Sequence, residues 1–92
     1  MSDWQLLRQY VDEGSDAAFT QLVDRHKKLV YWTCRRDIGD MQLAEDAAQA
    51  VFITLACRAA TIRRDASLAG WLFSVARHVS MRVRATASKF RT

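Results

Sequence analysis

Apolar positions recur every three to four residues along nearly the whole chain, and nowhere do they alternate as a half-buried strand requires. Trp4, Leu7 and Val11 form the first run, predicting a short helix over about Asp3–Glu13 that Gly14 ends. Ser15 and Asp16 offer capping oxygens for a second helix, on which Phe19, Leu22, Val23, His26, Val30 and Cys34 share a face up to a stop near Gly39. Asp40 can cap a third, where Ala44, Ala47, Ala48, Val51, Phe52, Leu55, Ala56 and Ala59 form a regular stripe whose alanines permit close packing. A polar break at Thr61, Arg63, Arg64, Asp65 and Ser67 follows, with Ser67 as cap of a fourth helix. Leu68, Trp71, Leu72, Val75 and Val79 make its core face, Phe73, Arg77 and Arg84 its other side. The expected fold is all-α, a compact bundle of about four helices in one domain over residues 1–92, with residues 1–14 as the short first helix and a frayed tail from Ala85 to Thr92.

Composition narrows the classes of function. Hydrophobic residues make up 50% of the chain, too many for intrinsic disorder, and no apolar run approaches the roughly 18 residues of a membrane span. The start of the chain carries Asp3 and lacks a basic segment followed by an apolar one, so no secretory signal is visible and a cytoplasmic location is expected. Cys34 and Cys57 are far apart, in apolar surroundings, and read as reduced core cysteines. Neither they nor His26 and His78 have the short spacing of a structural metal site, so no metal and no cofactor is expected. No nucleophile motif, acid–base pair or glycine-rich phosphate loop appears, and the chain does not read as an enzyme. His26, on an apolar face, reads as a core or boundary histidine.

Charge divides the chain unequally. Residues 1–60 hold seven basic and nine acidic side chains, whereas residues 61–92 hold seven basic ones against Asp65 alone. The last third is therefore the candidate for an anionic partner. Arg63, Arg64, Arg77, Arg82 and Arg84 can each neutralise a phosphate and release counterions. Trp71 and Phe73 add flat apolar surface suited to stacking on unpaired bases, although Trp71 also falls on the core stripe, and the pattern leaves both roles open. The third helix has a second face of Gln42, Asp46, Gln49 and Ile53, of the wrong sign for phosphate, that is either merely solvated or binds protein.

The order of three segments resembles the region-two domain of bacterial sigma factors of the extracytoplasmic-function (ECF) group. They are Ser15–Val23 (SDAAFTQLV), Gly39–Phe52 (GDMQLAEDAAQAVF) and Ser67–Arg77 (SLAGWLFSVAR), and the resemblance covers about residues 5–85. The spacing of Ala44, Glu45, Asp46, Gln49 and Phe52, followed by G-W-L-F-x-x-A-R, carries most of its specificity. The resemblance implies that the third helix docks on the clamp helices of the largest subunit of core RNA polymerase through Glu45, Asp46 and Gln49, to which Ile53 is added from its place on the same strip. It also implies that the loop Thr61–Leu68 and the fourth helix, which brings Trp71, Arg77 and His78, recognise and melt the minus-ten promoter element, mainly through the single-stranded non-template strand; with the arginines read from charge, the expected DNA-binding set is Arg63, Arg64, Ser67, Trp71, Arg77, His78, Arg82 and Arg84. An anti-sigma factor is a further partner the family suggests; a membrane is not.

The sequence departs from the family pattern at Ala50, where many relatives carry Glu, at His78, where Asn is common, and at Arg82, where Asp is frequent. These changes alter the clamp contact and make the last helix more basic. The family's second domain, which reads the minus-thirty-five element, is expected to be absent, because the chain ends before it could begin. The expected function is that of a transcription-initiation specificity factor; the alternative is a helical protein-interaction module of the same fold without promoter binding.

Overall fold

A computed structural model describes residues 1–89, which form four α-helices and one 3₁₀ turn: α1 (Asp3–Glu13), α2 (Asp16–Ile38), α3 (Met41–Arg58), the turn Ala59–Thr61, and α4 (Leu68–Lys89). Each helix starts where a side-chain oxygen can take up an orphan backbone N–H. Ser15 Oγ accepts from Ala18 N and Asp40 Oδ1 from Leu43 N, at 3.1 and 2.9 Å. Ser67 Oγ accepts from Gly70 N at 3.1 Å. At α1 the cap is reciprocal: Ser2 and Gln5 each bond the other's backbone N–H. Gly14 and Gly39 end α1 and α2 in the left-handed region, at φ 65° and 83°, where any Cβ would be strained.

Two residues, Gly39 and Asp40, join α2 to α3, so these helices form an antiparallel hairpin. Leu43 of α3 shares a hollow with Thr86 and Ala87 of α4, whereas Arg58 shares one with Trp71. α4 thus runs antiparallel to α3, and parallel to α2. Leu6 and Leu7 of α1, Leu22 and Val30 of α2, Val51 and Leu55 of α3 and Leu72 of α4 meet in one core and are almost wholly removed from water. The alanines Ala44, Ala47 and Ala76 are buried at the close approaches between helices. Truncating Leu72 at this junction should cost about 2–5 kcal/mol.

Two expectations need correction. α4 does not fray at Ala85: it continues to Lys89, because Ala85–Lys89 contains no helix breaker and Thr86 Oγ1 bonds Arg82 O one turn back at 3.0 Å. Residues 90–92 of the expected tail lie outside the described residues. Cys34 is buried as expected, but Cys57 is exposed. It follows Leu55 of the core stripe by two residues, which turns it by about 200° to the outer surface of α3. Burial pushes the Cys34 thiol up, with nearby Asp37 adding to the shift and a Ser80 hydroxyl contact opposing it.

Candidate polymerase and nucleic-acid surfaces

The core stripe of α3 fixes what its opposite side presents. With Ala44, Ala47, Val51 and Leu55 turned inward, Gln42, Asp46, Gln49 and Ile53 fall on the outward face, and all four are exposed. Ile53 is 64% exposed, a large apolar side chain in water at the end of an acidic and amide strip. Gln42 Nε2 donates to Asp46 Oδ1 at 3.3 Å, orienting that carboxylate. Glu45 is also exposed, toward one edge of the strip. The four residues assigned to polymerase contact therefore occupy one continuous surface.

The eight residues assigned to DNA do not. Ile62 and Leu68 are buried and pin both ends of the loop, which leaves Arg63, Arg64, Asp65, Ala66 and Ser67 exposed between them. Arg63 pairs with Asp65 at 3.2 Å, both well exposed, so the ion pair adds little stability and opens at little cost. Arg64 leans toward the surface of α1 that carries Trp4, Arg8 and Glu13. Ser67 is occupied as the cap of α4. From there Trp71, His78 and Arg82 line a hollow of about 390 Å³ between α3 and α4.

That hollow contains residues the sequence did not single out. Thr54 and Arg58 of α3 form its other wall, and Ser74 lies between Trp71 and His78. Arg58 of α3 adds a cation near Trp71 and Arg82 of α4 another farther along, so the groove is bordered by positive charge from two helices. Only the i, i+4 relation of Thr54 and Arg58 hinted at this, and it gives no sign of which neighbour they face. Trp71 is half-buried: it packs against the core and also lines the groove, so the packing and surface roles coexist.

Arg77 and Arg84 sit elsewhere. Arg77 Nε lies 2.8 Å from Asp37 Oδ2 in the last turn of α2, an ion pair in which the carboxylate is only 14% exposed and the arginine 52%. That oxygen accepts no well-aligned hydrogen bond, so the contact is one of charge. Arg84 borders a different hollow with Ile38, Asp40 and Met81. Phe73 is exposed, but it lies two positions from Trp71, about 200° around the helix, which places the two rings on opposite flanks of α4, and they form no common stacking platform. His26 sits at the boundary, with Nε2 2.9 Å from Asp3 Oδ2, joining α1 to α2.

α1 supports the site from behind. Tyr10 Oη donates to Ala56 O at 3.4 Å and its ring tilts against Phe19, which ties α1 both to the end of α3 and to α2. Among the described residues no group of three or more metal-ligating side chains occurs, and no helix is long and apolar enough to cross a membrane.

A four-helix domain with an acidic outward strip on α3 and a cationic groove beside α4 is the class that the geometry defines. Residues 22–90 match the family Sigma-70 region 2, and the chain belongs to that family. It is similar to the "ECF RNA polymerase sigma factor SigW" of Bacillus subtilis (strain 168), with 31% identity over 71 residues. The alignment covers 77% of this chain but 38% of that relative, and the likeness is of the ECF type.

Proposed function

We propose that this chain is the part of an ECF sigma factor that binds core RNA polymerase and recognises and melts the minus-ten promoter element, acting in the cytoplasm and without catalysing a reaction itself. The observation that supports it best is that the acidic strip and the cationic groove lie on different sides of α3, so protein and DNA can be held together. Glu45, Asp46, Gln49 and Ile53 take the clamp helices: the polar groups set register and Ile53 supplies apolar contact area. The loop Arg63–Ser67 and the groove of Trp71, His78 and Arg82 take the non-template strand. Extruding a base costs a few kcal/mol of pairing and stacking, which a stacking surface and phosphate neutralisation can offset. Trp71 offers the ring edge of the groove, and Arg58 and Arg82 border it with charge. Ala50 lies on the α4 side of the strip, where it borders a second hollow, and brings no charge to the clamp contact.

Two binding measurements on the intact chain test this reading. A fluorescent single-stranded minus-ten oligonucleotide should bind with sequence preference and lose affinity as salt rises. Replacing Asp46 and Gln49 together should abolish association with core polymerase while the helical circular-dichroism signal stays unchanged. An oligonucleotide that does not bind at low salt, with polymerase association intact, would leave the interaction-module reading in its place.

A further inference from the structure

The loop Arg63–Ser67 is pinned at its ends by Ile62 and Leu68, and its middle lies against α1. α1 packs on the turn Ala59–Thr61 that leads into the loop, and Arg64 then borders a hollow of about 470 Å³ along α1 from Trp4 to Glu13. Charge around that hollow is unevenly matched. Arg8 lies over the Trp4 ring, 5.4 Å from its centroid, and pairs with Asp12. Among the described residues Glu13 has no cation within ion-pair distance, and Arg64 has no carboxylate. Asp12 and Glu13 both stand in the last turn of α1, at the negative end of the helix, and that turn contains no basic residue. A guanidinium brought from outside α1 offsets this unfavourable field. With Arg8 engaged by Asp12, Arg64 is the cationic side chain left to face Glu13 across the hollow. The same two carboxylates disfavour a DNA phosphate beside Arg64.

We propose that Glu13 is a positioning residue for the loop. It draws Arg64 against α1 and so holds in one pose the turn Arg63–Ala66, in which Ala66 N donates to Arg63 O at 3.1 Å. The proposal rests on the loop reading promoter bases, as proposed above, and it moves Arg64 from phosphate contact to loop orientation. A loop held in its bound pose before DNA arrives loses less conformational freedom on binding and favours the base that fits that pose. Arg63, whose exposed pair with Asp65 opens at little cost, stays available to the strand.

Two readouts on the intact chain test this, using Glu13→Gln and the charge swap that combines Glu13→Arg with Arg64→Glu. Both positions are exposed, and circular dichroism of the variants should match the parent. Amide hydrogen exchange at Ala66, followed by NMR without DNA, should be at least threefold faster in Glu13→Gln and return toward the parent rate in the swap. The second readout is the ratio of affinities for a preferred minus-ten oligonucleotide and one altered at a single base. Glu13→Gln should lower that ratio at least threefold, and the swap should restore it. Arg64→Gln should lower the ratio too, with the salt dependence of the parent. Unchanged Ala66 exchange in Glu13→Gln would overturn the inference, as would faster exchange with an unchanged affinity ratio. An Arg64→Gln variant that weakens both oligonucleotides equally and flattens the salt dependence also overturns it, making Arg64 a phosphate contact. A parent chain that binds neither oligonucleotide overturns the promoter reading instead, and the Ala66 exchange rates then decide by themselves whether Glu13 holds the loop.

Discussion

Asp37 occupies an awkward place: a carboxylate in the last turn of α2, where the helix end is already negative, and largely removed from water. Arg77 of α4 compensates it, and the two partners should respond unequally to removal. Arg77→Ala leaves Asp37 14% exposed and without its cation. Breaking a fully buried pair in this way costs about 3–5 kcal/mol, but Arg77 is half in water, so screening reduces the expected loss to about 1–2 kcal/mol. Asp37→Asn removes the unfavourable charge while letting Arg77 swing into solvent, and should cost under about 1 kcal/mol. For a domain of this size the Arg77→Ala loss corresponds to a fall in Tm of roughly 5–15 °C. Urea denaturation followed by circular dichroism measures both variants, and the double variant should recover most of the Arg77→Ala loss. If Asp37→Asn destabilises as much as Arg77→Ala, the carboxylate is a net stabilising group and the reasoning fails. The same experiment separates fold from function, since an arginine engaged with Asp37 contributes little to the salt dependence of DNA binding.

Other expectations follow from single features. Native protein should react with one equivalent of a thiol reagent, at exposed Cys57, and with two after unfolding, because Cys34 is buried and its thiol is held neutral. For the same reason stability should be fully present below the ordinary thiol pKa of about 8.5 and fall as pH rises beyond it, where the unfolded thiol ionises and the folded one resists; Cys34→Ala should flatten that alkaline slope. Ser80 Oγ is enclosed without a well-formed hydrogen bond, so Ser80→Ala should raise unfolding free energy by about 1 kcal/mol; a decrease instead would mean that the hydroxyl bonds Cys34 well. Replacing Arg58 and Arg82 together should lower the slope of log affinity against log salt for a single strand by about 0.7 for each phosphate no longer neutralised, whereas Arg84→Ala should change it less.

Helix boundaries were legible because they are written locally: Ser15, Asp40 and Ser67 accept from the turn that follows, and Gly14 and Gly39 take a backbone conformation other residues avoid. The α3 strip was legible for the same reason, since helical spacing alone separates it from the alanine stripe. What escaped was pairing between helices. Nothing around Arg77 announces Asp37, forty residues earlier in the chain. Nor does the sequence around Arg58, in the last turn of α3, signal the groove it borders. Net charge misled in one respect: α2 carries five basic side chains against three acidic ones, and the acidic excess of residues 1–60 comes from α1, Asp40 and α3.

The loop held between buried Ile62 and Leu68 has a consequence for how such a domain can diversify. Its four residues Arg63–Ala66 touch no core, and surface changes of this kind usually shift stability by less than about 0.5 kcal/mol. Ser67, which starts α4, is the boundary of that freedom. Chains that differ only at positions 63–66 should therefore melt together yet sort differently on DNA, so that a change of target sequence can be explored by mutation without first passing through an unstable ancestor.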